Sequence, residues 1–189
     1  MPKFREIQDI PYNAGFATRL RAFAFDYLII FVYMVSLALM TMAVVGIAGL
    51  IGFSIQWPHN PFLADLLGFI TLILPVILYF TFQESSPKQA TWGKRKVGIK
   101  VIKTNGGRLS WKRAFLRSLV KFFPWQIAHT CIFQMGGFSS APVELSPLLI
   151  IGFMLVYILV IIYIFSALFT KRHQTPYDWI SGSNVIVTK

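Results

Sequence analysis

Charge of either sign is missing from a long stretch of this chain: no Asp, Glu, Lys or Arg lies between Asp26 and Asp65. A soluble domain rarely runs so far without a charge, whereas about 20 apolar residues in helical form cross a bilayer core. Cysteine is almost absent. Cys131 stands alone, which excludes an intramolecular disulfide and leaves a structural thiol as the simplest reading. The three histidines, His59, His129 and His173, are scattered, with no Cys/His cluster at ligand spacing, so neither a metal nor a cofactor is expected. No nucleophile stands beside a base, and Gly93-Lys94-Arg95 lacks the Gly-x-x-x-x-Gly-Lys-Ser/Thr spacing of a phosphate-cradling loop. The chain is therefore not read as an enzyme.

What is present is apolar. Of 189 residues, room for a single domain, 56% are hydrophobic and 13% charged. Four blocks are long enough to cross a membrane: from Phe16 or Ala22 to Val45, from Phe62 to Phe82, from Ala114 to Met135, and from Leu148 to Phe169. The first follows Lys3, Arg5, Arg19 and Arg21, but it outruns the roughly 7 to 15 residues of a signal core and reads as a retained helix. Pro75 is expected to kink the second, and Trp57 before it suits a headgroup interface. The third carries Arg117, Lys121, Pro124 and His129; its basic side chains lie near one end, from which they can snorkel.

The 18 basic residues decide the orientation. Four precede the first block, nine lie between Lys88 and Arg113, two open the third block, and three follow from Lys171. The connections at 46 to 61 and 136 to 147 have none, so the positive-inside rule places them outside and both termini in the cytoplasm. A third segment lying on the surface would carry Lys171 and Arg172 outward, which favours four spans. The expected protein is an all-α integral membrane protein with four transmembrane helices, residing in the cell inner membrane. Its net charge of +11 suits anionic headgroups at the cytoplasmic face and does not require nucleic acid. Within the basic loop, Val97, Ile99 and Val101 alternate with polar residues before Asn105-Gly106-Gly107, then Leu109 and Trp111; this predicts a short cytoplasmic β-hairpin.

An ion inside a membrane helix needs a partner, which makes Asp26 informative. Arg19 precedes it by seven residues, about 20° from the same helix face and about 10 Å along the axis. Gly15, Arg19, Ala22, Asp26 and Tyr33 form a stripe of small and polar residues on which another helix can pack and supply Asp26 with a counter-ion or donors. Such a stripe either pins helices together or binds a proton or small cation.

Three motifs carry a resemblance. Arg19-Leu-Arg-Ala22-Phe-Ala-Phe-Asp26 opens the first helix. Ala90-Thr91-Trp92-Gly93-Lys94-Arg95 leads into Gly98-Ile99-Lys100-Val101 and Gly106-Gly107, and Gln174-Thr175-Pro176-Tyr177-Asp178-Trp179-Ile180-Ser181-Gly182 closes the chain. In this order they resemble the RDD family of small polytopic membrane proteins, named for one arginine and two aspartates, and the resemblance treats residues 1 to 189 as a single domain. Pro176 stands where an aliphatic residue is expected. The resemblance implies site residues Arg19, Asp26 and Asp178, joined in one polar cluster near the cytoplasmic side, and a loop motif of Thr91, Gly93, Lys94 and Arg95. It also implies one of two functions: sodium/proton-type exchange, which in so small a chain would need an oligomer, or an adaptor or regulator that holds a partner membrane protein.

Overall fold

In the computed structural model, residues 12–56, 58–135 and 146–188 are described. Helix α1 (Phe16–Leu50) is followed by α2 (Pro61–Gly68), a π-helical turn (Phe69–Ile73) and α3 (Leu74–Glu84), which run on as one interrupted helix. After α4 (Trp92–Lys96) and β1 (Ile99–Lys103) come α5 (Trp111–Gln134), α6 (Pro147–Phe169), α7 (Pro176–Ser181) and β2 (Ser183–Val187). Among the described residues, three helices are long and apolar enough to cross a membrane: α1, Pro61–Glu84 and α6. The third expected segment, 114 to 135, lies inside α5 except at its last residue; Arg117 and Lys121 together with Gln126, His129 and Gln134 make it less apolar than the other three. Trp57, Lys3, Arg5 and most of the connection 136 to 147 lie outside the described residues.

The helix starts share a local chemistry. Asn60 accepts hydrogen bonds from the Phe62 and Leu63 amides (2.9 and 3.3 Å), with Pro61 in the first turn. Ser146 caps α6 ahead of Pro147, and Thr175 with Asp178 forms a capping box around Pro176. A first-turn proline gives up an N–H that has no helical partner anyway, so Pro176 suits its position.

Proline inside a helix leaves the carbonyl four residues earlier without its usual donor. Pro75 does this to Thr71, and the Tyr33 hydroxyl of α1 donates to that carbonyl instead. Pro124 does it to Val120, whose carbonyl accepts from the Tyr163 hydroxyl of α6 at 2.6 Å. In hydrocarbon an unpaired carbonyl costs several kcal/mol, so each interhelical tyrosine both repairs a proline and fixes a helix contact. The expected kink at Pro75 takes the form of the π-helical turn just before it. Cys131 is a buried packing residue, close enough to Gly152 of α6 that a Cβ there would lie 2.5 Å from its sulfur.

One end of the helices is closed by a small cap. Strand β1 pairs antiparallel with β2, with Ile99 opposite Val187 and Val101 opposite Val185. The expected hairpin within the basic loop is thus corrected. The chain does turn at Asn105–Gly107, where Gly106 and Gly107 take positive φ, but Ser110 then opens α5, leaving no length for a returning strand. Val185 and its alternating neighbours supply the partner from the C-terminal end. Ala14 adds a bond to the sheet, its amide donating to the Val185 carbonyl at 2.8 Å, and Leu109, Ala114 and Ala22 fill the core beneath.

Candidate functional site: a buried ion-pair cluster

Asp26 lies nearly three turns into α1 and is 1% exposed. Its counterpart is not Arg19. The carboxylate instead accepts from the Tyr79 hydroxyl (2.9 Å), the Thr91 hydroxyl (2.6 Å) and the Gly93 amide (2.8 Å). These three donors engage both carboxylate oxygens without a touching cation. The small face of α1 is what allows this approach: α4 packs against it at Gly93, where a Cβ would collide with the Ala22 carbonyl and come within 2.8 Å of the Asp26 amide nitrogen. Thr91 also caps α4 through the Lys94 amide at 3.3 Å, so one hydroxyl both starts the short helix and ties it to α1.

Arg19 reaches the other aspartate. Its Nη1 donates to Asp178 Oδ2 at 2.6 Å, and its Nε to the Ala14 carbonyl at 2.9 Å. Asp178 is completely buried and held on its second oxygen by Arg117, through Nη2 at 2.7 Å and Nε at 3.1 Å. The Thr175 amide and hydroxyl donate to Oδ2 at 3.1 and 2.9 Å. Arg117 extends further: its Nη1 donates to Glu84 Oε2 at 2.6 Å, and the Lys94 ammonium pairs with Glu84 Oε1. A chain of charges therefore runs from Arg19 through Asp178, Arg117 and Glu84 to Lys94, joining the start of α1, the end of α3, the start of α5, α4 and α7. Arg95 latches the same corner from outside, donating to Gln83 Oε1 and the Ala90 carbonyl at 2.8 and 2.9 Å.

Burial by itself would raise the Asp178 carboxyl, but Arg117 and Arg19 outweigh it and hold the group well below the ordinary carboxylate range. Burial pushes the Lys94 ammonium below its ordinary value, with Glu84 opposing. The Tyr177 phenol is raised by burial, and beside it by Asp178.

Of the residues singled out in the sequence, Arg19 and Asp178 touch. Asp26 meets Thr91 and Gly93 of the loop motif, and Lys94 enters the charge chain through Glu84. No ion pair links Arg19 to Asp26 among the described residues. Sequence reasoning passed over the hub, Arg117, by assigning it to snorkelling, and did not single out Glu84. The usable signal was Glu84 itself, an acid at the end of an apolar helix and facing a loop with nine basic residues. Such a group needs a buried cation, and Arg117 and Lys121 are the basic residues beyond the first turn of the next long helix.

Apolar helices carrying a buried ionic network under a small sheet mark the chain as a polytopic membrane protein. It belongs to the RDD family: the sequence profile described as RDD family matches residues 13–182. No curated protein and no solved structure gives a significant match.

Proposed function

We propose that the chain is a four-span protein of the cell inner membrane, with its basic end and both termini in the cytoplasm, acting as an adaptor or regulator of a partner membrane protein. The fourth span is α5. It packs between α3 and α6, and its basic residues all fall before Phe122, leaving the remainder to Gln134 uncharged. One observation carries the functional reading: Asp26, Glu84 and Asp178 are all buried and every one of their carboxylate oxygens is engaged by fixed donors, so none is open to an exchanging proton or sodium ion. Such a cluster fixes helix registry and fastens the cap to the helices. The adaptor surface is the second half of α1, where Leu39, Met40, Met42 and Ile47 are about 60 to 70% exposed and Ala43, Gly46 and Gly49 would admit a second helix closely. At about 52 Å, α1 is also longer than a 30 Å core requires.

A photo-crosslinking residue at Leu39 should give a discrete protein adduct in native membranes, while the same probe at Phe165 of α6 gives lipid adducts. Lipid adducts alone at both positions contradict the adaptor reading. Asp65 favours a second reading. It accepts from Gln126 Nε2 (3.0 Å) and Thr130 Oγ1 (2.9 Å) of α5 but, unlike Asp26, is only half-buried, so cation or proton movement, if the protein supports any, would run through Asp65 and be lost in Asp65→Asn.

A further inference from the structure

The three carboxylates of the cluster are saturated, but its cations are not. Arg19, Lys94, Arg117 and Lys121 line one cavity with Asp26, while Glu84 and Asp178 pair with its walls; four positive groups face three negative ones. The guanidinium Nη2 of Arg19 is buried and has no hydrogen-bond partner among the described residues. Lys121 makes no hydrogen bond or ion pair among the described residues. Its ammonium lies 3.7 Å from the Phe80 ring centroid, 4.7 Å from that of Phe23 and 5.2 Å from that of Phe122. Ring faces attract a cation but supply no counter-ion, so the Lys121 amine stands without a paired anion beside an apolar space, where an entering phosphate would hold its proton.

That space, about 180 Å³, lies between α1, α5 and α6. Its outer wall is lipid-facing: Leu20 is 52% exposed and Trp125 44%. Phe16, Val160 and Ala167 make the remaining wall mostly apolar, with Tyr163, Thr175 and Tyr177 beside them. Arg19 stands in the first turn of α1 and Ala167 in the last turn of α6, so the charged floor lies at one end of the helices, where headgroups sit, and the apolar walls run inward from it.

We propose that this cleft binds one anionic phospholipid, its phosphate between Lys121 and the free Nη2 of Arg19 and its acyl chains along the groove between α1 and α6. A zwitterionic lipid would bring its own cation into a site that already has one in excess, so the charge selects an anionic headgroup. A small soluble anion would satisfy the charge but leave the apolar walls to other lipid. The inference rests on membrane residence and not on the adaptor reading.

Full-length protein in non-ionic detergent, mixed with equal phosphatidylglycerol and phosphatidylcholine, is read by native mass spectrometry. One phosphatidylglycerol should stay bound at least about fivefold more than phosphatidylcholine, the ratio worth roughly one lysine–headgroup attraction. Lys121→Met should lose that preference while Lys121→Arg keeps it. Leu20→Trp, which fills the outer wall without touching the cluster, should lower retention of the lipid with the preference for charge unaltered in what remains. Equal retention of both lipids, or a folded Lys121→Met that keeps the preference, overturns the proposal. Complete displacement of phosphatidylglycerol by millimolar inorganic phosphate also overturns it, reassigning the cleft to a free anion.

Discussion

Arg117 is the residue whose removal should harm the fold most. It is 2% exposed and joins Glu84 of α3 to Asp178 of α7, with a further bond from Nε to Ser183 Oγ at 3.2 Å. Arg117→Met keeps most of the alkyl volume and removes every donor. Glu84 would retain Lys94, and Asp178 would retain Arg19, yet each would lose half of its charge neutralisation while remaining fully buried. Breaking a buried ion pair from one side costs about 3 to 5 kcal/mol. At about 2 to 4 °C per kcal/mol for a chain of this size, the unfolding midpoint in detergent should fall by roughly 6 to 20 °C. Arg117→Lys should recover only part, because one ammonium cannot bridge two carboxylates as a guanidinium fork does. Adding Glu84→Gln to Arg117→Met should cost less than the sum of the single changes, since the second removes the charge that the first left bare. The assay is thermal unfolding followed by a thiol-reactive dye on Cys131, with exposed Lys112→Ala as control. An Arg117→Met midpoint within the range of about 0.5 kcal/mol expected of a surface change would refute the hub.

Gly93→Ala should loosen α4 from α1, because the added methyl meets the Ala22 carbonyl; limited proteolysis within 88 to 98 reads the loss. Tyr163→Phe strips the Val120 carbonyl of its donor and should destabilise by about 1 to 3 kcal/mol, whereas Tyr157→Phe, at a 70% exposed position, should be silent in the same melt. Asp178 has a depressed carboxyl, so its contribution to stability is complete above its unfolded value near 4 and is lost as pH falls from there toward the folded one. Melts should therefore be flat from pH 7 to 5 with respect to this group and fall below about 4, with a shallower fall in Asp178→Asn. Single cysteines on a Cys131→Ala background should label from outside at Asn60 and stay silent at Asn105; labelling at 105 in intact cells would reverse the proposed orientation.

The apolar blocks at α1, Pro61–Glu84 and α6 were legible because hydrocarbon demands long uncharged runs, and one strand and one turn of the basic loop were legible from alternation and from Asn105-Gly106-Gly107. The pairing of β1 was not. A strand's partner is set by which edge is free after folding, and the immediate start of α5 at Trp111 excluded the local choice in favour of a segment more than 80 positions away. The same limit applied to the charges. Spacing on one helix placed Arg19 and Asp26 on a common face, but the bonds actually formed depend on which elements come against it. A glycine and a threonine reached Asp26 from α4, and Arg19 turned to α7. Arg117 was hidden because a basic residue near a helix end has two physical outcomes, snorkelling to the interface or pairing inside, and only the positions of Glu84 and Asp178 distinguish them.

In the proposed adaptor, Arg19, Asp26 and Asp178 form a static clamp and not an ion path. Proton and sodium flux into proteoliposomes, measured for the wild type, Asp26→Asn and Asp65→Asn under an imposed gradient, tests it most directly. A static clamp gives no flux that depends on Asp26: either none in the wild type, or flux that survives Asp26→Asn and disappears in Asp65→Asn. Wild-type flux abolished by Asp26→Asn in a variant that keeps its unfolding midpoint would contradict it.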